Sequence, residues 1–270
     1  MVPCVRRRKK RIKRTFENKI LPALVIISLA VVAFYVFSHP PDINTNLPPP
    51  HKAAIIDQLS LTEPNQTLIQ VTTEILQSAG FTVDYYMPEN VTVDLYRSLP
   101  AQGYGLIIFR VHSAGGVEGD EPLYLFTSEP FVEGKYTWEY VGGLVVCVGT
   151  SEEPPFYFGI SPQFVLYSME GEFQNTIMLM MTCSALTYED MAEAFVERGS
   201  SVCVGWNGLV QADHNDRAIT ALLRELTDEK LTIEQAVAQV TGQVGLDPEY
   251  NSRLEWYPAE NGDYAVPRSD

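Results

Sequence analysis

One histidine and one cysteine stand where chemistry collects in α/β proteins. The apolar run 105–111 leads directly into His112-Ser113-Ala114-Gly115, and the run 177–182 leads into Cys183-Ser184-Ala185. Reactive groups of open α/β sheets gather at the carboxyl ends of the strands, so two residues so placed can meet in one crevice. A thiol beside an imidazole suffices for nucleophilic acyl transfer: Cys183 attacks a carbonyl, while His112 takes the proton and returns it to the leaving amine. Backbone N–H groups of Cys183 and of the turn from Ser113 would hold the oxyanion, with Gly115 and Gly116 giving that turn its freedom. Either residue alone has an ordinary reading, a satisfied histidine at a strand end or a cysteine in the core. The expectation rests on the pair.

Elements able to place the pair are legible along the chain. Residues 52–56 read as a short apolar strand ending at Asp57, which either lines the same crevice or caps the following loop. A helical pattern follows, with Leu68, Thr72, Ile75, Leu76 and Ala79 on one face and Gly80 as its C′ residue. Phe81, Val83 and Tyr85 alternate with polar residues, as in a strand on the sheet's flank. The nearly all-apolar run 106–111 marks a central parallel strand. Residues 120–170 carry β-prone stretches at 123–126, 136–141 and 144–148 between Gly and Pro, which predicts a hairpin insertion.

After the strand that delivers Cys183, Thr187-x-x-Asp190 resembles a capping box opening a helix that Gly199 ends. Val202 to Gly205 then reads as a buried strand with Trp206 at its end. A helix follows with Ala218, Ile219, Leu222, Leu223 and Leu226 inward, and Thr232-x-x-Gln235 opens the last helix. Residues 253–257 read as an edge strand. Strands alternating with helices predict a doubly wound, mostly parallel sheet covered on both faces.

The charge is divided unevenly. Nine of the 19 Lys and Arg lie in residues 6–19, whereas residues 38–270 carry ten against 33 acidic side chains, a poor surface for nucleic acid. Residues 20–37 are apolar apart from Pro22 and Ser28, about 27 Å as a helix, which is close to the hydrocarbon thickness of a bilayer. No small-x-small cleavage pattern follows, so a retained transmembrane helix is expected. The basic block predicts a cytoplasmic amino terminus and an extracellular domain at the cell membrane. Residues 1–19 are thus read as a basic tail, 20–37 as the membrane helix, 38–50 as a Pro-rich spacer and 51–270 as the outer domain. Asn65-Gln66-Thr67 and Asn90-Val91-Thr92 fit the glycosylation acceptor pattern. Cys147 and Cys203 are expected to be small buried hydrophobes, and neither a metal site nor a cofactor is expected.

With these residues in place, the order of elements resembles the caspase-like clan of cysteine peptidases, which includes caspases, metacaspases, legumains, gingipains, clostripain and CHAT domains. The segment from Ala192 to Trp206, a helix ending in Gly199 and a strand ending in Trp206, is most similar to the CHAT type. The resemblance implies a three-layer caspase-like fold, a cysteine endopeptidase acting on peptide or protein substrates, and His112 and Cys183 as its dyad. It also implies a substrate pocket near Asp57, Met181, Trp206 and the loop bearing Asp213, whose plainer role is helix capping. Two positions depart from the family pattern: Ser113 stands where many members have Gly, and Met181 where metacaspases and clostripain carry the acid that recognises basic substrates. A weak basic preference, or none, is therefore expected. The competing readings are a noncatalytic binding or scaffolding module of the same fold, and an amide-hydrolysing or acyl-transfer enzyme that is not a peptidase.

Overall fold

Alternation along each strand decides which side chains face which helix layer in the computed structural model, which describes residues 51–115 and 122–266. The expected basic tail, membrane helix and spacer, and Gly116, lie outside these residues. Among the described residues no helix is long and apolar enough to cross a membrane.

The central sheet contains β1 (Lys52–Asp57), β2 (Thr82–Tyr86), β3 (Leu106–Arg110), β8 (Thr176–Met180), β9 (Ser200–Trp206) and β10 (Leu254–Tyr257). They stand in the order β10-β9-β8-β3-β1-β2, all parallel except β10, which runs antiparallel to β9. One face takes Ala53, Ile55, Leu106, Ile108, Ile177, Leu179, Val202 and Val204, packed under α1 (Gln66–Ser78), α6 (Ala212–Thr227) and α7 (Ile233–Val244). The intervening residues Ala54, Ile56, Ile107, Phe109, Met178 and Met180 face the opposite layer, with α2 (Val93–Ser98), α4 (Pro162–Tyr167) and α5 (Asp190–Glu197). Leu222, Leu223 and Ile219 of α6 are essentially fully buried. Each such side chain stabilises the layer by about 1.5–3 kcal/mol relative to exposure.

The expected insertion is a second, antiparallel sheet of β4 (Ser113–Ala114), β5 (Tyr124–Pro130), β6 (Val145–Val148) and β7 (Tyr157–Ile160), in the order β4-β5-β7-β6. It begins at the residue after His112, so the insertion grows out of the candidate site. Residues 136–141 are not a strand: Thr137–Val141 forms a short helix, α3, whose Trp138 is 87% exposed. Strand preference of aromatic and β-branched residues reflects packing on a half-buried pleated surface, and none is offered here. Cys147 is exposed because β6 is the outer strand of its sheet, whereas Cys203 is buried as expected.

The two capping patterns part ways. Thr232 accepts from the Gln235 N–H at 3.4 Å and the Gln235 side chain accepts from the Thr232 N–H at 3.2 Å, a complete box at the start of α7. Ahead of α5 no box forms: Glu189 is the N-cap with φ 59°, and Asp190 accepts from the N–H groups of Met191 and, across to the second sheet, Leu123. That tertiary bond takes the carboxylate a local cap would have used. Asn65 caps α1 by accepting from the Leu68 N–H at 3.1 Å and donates its amide to Asp216 at 2.9 Å, so the first acceptor pattern is committed inside the fold. Asn90 is exposed.

Gly205 on β9 sets the spacing between the sheet and the turn after Cys183. A Cβ there would stand 2.6 Å from the Ala185 Cβ and 3.1 Å from the Met180 carbonyl oxygen. Gly205→Ala is therefore expected to destabilise the domain by about 1–3 kcal/mol, as overpacking does, with a lower midpoint in denaturant unfolding. An unchanged midpoint would show that the turn yields freely.

A cavity between His112 and Cys183

β3 and β8 are adjacent and in register, Phe109 opposite Met180, so the residues that follow them emerge side by side at the carboxyl edge of the sheet. The His112 N–H donates to Gln58 Oε1 at 2.7 Å, which ties the end of β3 to the loop after β1. Beyond β8 the chain turns through Thr182 and Cys183 into Ser184, whose φ is 54°. The Ser184 and Leu186 N–H groups donate to the carbonyls of Gly208 and Trp206, at 2.7 and 2.9 Å, which fixes the turn to the end of β9. Ser113 joins the two strand ends directly, its hydroxyl donating to the Cys183 carbonyl oxygen at 2.6 Å.

His112 and Cys183 line one cavity of about 250 Å³, with Glu63, Met181, Gln211 and Tyr250 among its walls. Their reactive atoms do not touch each other at rest. Cys183 Sγ donates to the Val210 carbonyl oxygen at 3.7 Å, and His112 Nε2 lies 2.9 Å from Thr62 Oγ1. The Thr62 hydroxyl also lies 3.3 Å from the Leu59 carbonyl oxygen, and which of Thr62 and Nε2 donates to the other depends on the imidazole tautomer. Burial holds the imidazole below its ordinary pKa of 6.5, against the pull of the Glu63 carboxylate and with the push of Arg110. Burial likewise raises the thiol above its ordinary 9.0, with the Val210 bond opposing and the Asp247 carboxylate adding. These directions make the pair a neutral thiol and a neutral imidazole at pH 7.

Beneath the cavity lies a buried ion cluster that the sequence reading did not use. Arg110, 1% exposed, directs all five guanidinium N–H groups to partners. Nε and Nη2 grip Asp216 on α6 at 2.8 Å each, Nη1 reaches Asp57 at 2.8 Å and the Ser60 hydroxyl at 3.2 Å, and Nη2 also reaches the Glu63 carbonyl at 2.9 Å. Asp57 is saturated in turn by Ser60 and by the Tyr85 hydroxyl at 3.0 Å. Asp57 is fully buried and does not line the cavity. Strand period explains the burial: Asp57 continues Ala53 and Ile55, and Arg110 continues Leu106 and Ile108, on the face beneath α6.

The remaining expected pocket residues divide. Met181 is fully buried and borders the cavity. Trp206 is also fully buried but points under α6, where its indole N–H donates to Asn215 Oδ1 at 2.9 Å; Asn215 Nδ2 donates to the Met181 carbonyl at 3.1 Å. Trp206 thus supports the wall without forming it. Asp213 is exposed and lines a neighbouring groove of about 710 Å³ along α1 and α6. Glu63 is the carboxylate that does border the cavity. Asp247 frames the far side: burial opposes its ionisation, but the N–H groups of Gln211, Glu249 and Tyr250 outweigh it, and its pKa falls below the ordinary value. Among the described residues no cluster of His, Cys, Asp and Glu could hold a metal ion.

No protein-family model matches the chain, and no curated protein does. Among solved structures, the Arg-specific cysteine proteinase gingipain R is similar over 84% of this chain and 47% of its own length, at 13% identity and a TM-score of 0.43. The chain therefore spans about half the length of that proteinase.

The ion cluster gives a stability prediction. Arg110→Met leaves Asp57 and Asp216 buried without their cation and is expected to cost about 3–5 kcal/mol, or to prevent folding. Replacing all three residues by apolar side chains of similar volume should recover much of that loss, as read by denaturant unfolding. If the single replacement were the milder of the two, Arg110 would not be the group that neutralises this interior.

Proposed function

We propose that the chain is a membrane-anchored cysteine peptidase with Cys183 as nucleophile and His112 as general base. The observation that carries this reading is the shared cavity: the two side chains at adjacent carboxyl strand ends border the same 250 Å³ space. In the proposed reaction the His112 imidazole takes the thiol proton as sulfur attacks the scissile carbonyl, and that proton passes to the leaving amine. Water then hydrolyses the thioester through the same imidazole. The N–H groups of Cys183 and of the Ser113 turn receive the oxyanion, and the Ser113 hydroxyl on the Cys183 carbonyl holds the two loops in register for it. Glu63, in place of Asp57 or Asp213, supplies the cavity's carboxylate and supports a weak basic preference beside the scissile bond. The apolar run 20–37 and the basic block before it support a single-pass anchor with the catalytic domain outside.

A noncatalytic surface module is the second reading, favoured by the raised pKa of the Cys183 thiol and its bond to Val210. Mutation separates the two. Cys183→Ala is expected to abolish peptide cleavage with little loss of stability, His112→Ala to cost nearly as much activity, and the double variant scarcely more, because the pair acts as one unit. Cys147→Ala, at an exposed position, should leave turnover unchanged. Wild-type turnover by Cys183→Ala, with contaminating protease excluded, would falsify the peptidase reading.

The pH dependence follows from the directions of the two shifts. A neutral imidazole is the active form, so kcat/KM should rise along one acid limb centred below pH 6.5 and stay level through neutrality. Alkylation of Cys183 by iodoacetamide should still be climbing at pH 9, since its thiol ionises above that value. A plateau of alkylation already reached in acid would mean a resting thiolate–imidazolium pair and a different mechanism.

A further inference from the structure

Gln211, the N-cap residue of α6, lines both the Cys183 cavity and the larger groove beside it. The groove has an apolar floor of Leu68, Val71 and Ala221, and its charged groups are Asp213, Asp216, Arg217 and Arg224. Asp216 is buried and shares Arg110 with Asp57, while the two arginines and Asp213 are the groove's other charges. Arg217 and Arg224 are seven residues apart, hence on one face of α6 and about 10 Å apart along its axis. Neither has an ion-pair partner among the described residues; Arg217 Nη2 lies 3.2 Å from His214 Nδ1. Among the other described cations, Lys52, Arg97, Arg110, Lys135 and Arg253 are each paired with a carboxylate, whereas Arg198 is spent on the Met169 carbonyl and Lys230 has no ion pair.

We propose that this groove continues the substrate site and receives acidic side chains of a peptide lying across Cys183; the inference rests on the peptidase reading of the adjoining cavity. Guanidinium groups present planar forks that match carboxylates, and here neither fork is held by a carboxylate of the described residues, Arg217 reaching His214 alone. Along α6, Arg217 stands about 9 Å and Arg224 about 20 Å from Gln211. An extended peptide advances about 3.3 Å per residue, so the two arginines meet side chains about three and about six residues from the one at Gln211. Asp213 lies between Gln211 and Arg217 and disfavours an acid in the intervening stretch. The domain's overall negative charge discourages acidic ligands elsewhere, which confines the preference to this groove.

The test uses peptides of one length and one scissile centre, with Glu or Lys at the third and sixth positions on either side. Cleavage is measured with the wild-type protein, and binding with Cys183→Ala. On one side of the scissile bond, Glu peptides are expected to exceed Lys peptides about tenfold in kcat/KM, fading as salt is added. Arg217→Glu with Arg224→Glu is expected to invert that ratio. The ratio is taken within each protein, so partial loss of folded material cancels. Equal ratios, or a ratio unmoved by the reversal, would overturn the inference while leaving the peptidase reading intact. Should no peptide be cut, the peptidase reading falls, and the binding ratios still judge the groove: Glu over Lys, inverted by the reversal, sustains it, and equality removes it.

Discussion

A single guanidinium holds together the parts on which the candidate site depends. Arg110 ends the central strand two residues before His112, and from there it binds the end of β1, the loop carrying Glu63, and the first turns of α6. The loop and the start of α6 supply Glu63, Ala212 and Asn215 to the cavity. Their relative positions would otherwise rest on apolar contact, which is strong but indifferent to small slides. Five directed bonds on a planar group remove that freedom. A buried cluster of one cation and two carboxylates adds less to stability than its short distances suggest, because desolvation offsets most of the attraction. Its more distinctive contribution is geometric.

Other parts of the cavity wall are organised by polar side chains. Asn215 is gripped by Trp206 and itself grips the Met181 carbonyl, so the ends of β8 and β9 and the start of α6 meet at one side chain. Asp247 gathers three N–H groups and so carries Gln211 and Tyr250 to the cavity rim. Ser113 closes the circuit between the two strand ends. A glycine at that position would have offered the same N–H without the hydroxyl that reaches Cys183.

Much of this fold was legible because its strands are buried and its helices amphipathic. Burial on both faces makes residues 106–111 and 177–182 nearly continuous apolar runs, and the alternating layers of β1 and β3 follow from period alone. Asp57 and Trp206 continue the face beneath α6 by the same period, and so does Met181, which alone of the three borders the cavity. Arg110 was the neglected signal, a charge inside an apolar strand on the parity of Ile108. The second sheet was less readable, because its strands are short and its helix α3 consists of β-prone residues with no sheet to join. Glu63 and Gln211 lie on loops, and what brings them to the cavity is tertiary: the Arg110 bond to a carbonyl and the Asp247 bond to an N–H.

The engagement of Cys183 with Val210 has a consequence for the protein's chemical endurance. Peroxides and disulfides react with thiolates, and a thiol whose pKa is raised by burial offers them almost none at neutral pH. Cys203, its pKa pushed by burial to about 12, is shielded still more completely. Cys147 stands in water on an outer strand, so it is the thiol an oxidant meets first. In an oxidising medium the fold thus disfavours oxidation of its candidate nucleophile, while among the described cysteines the exposed thiol sits on an outer strand of the second sheet.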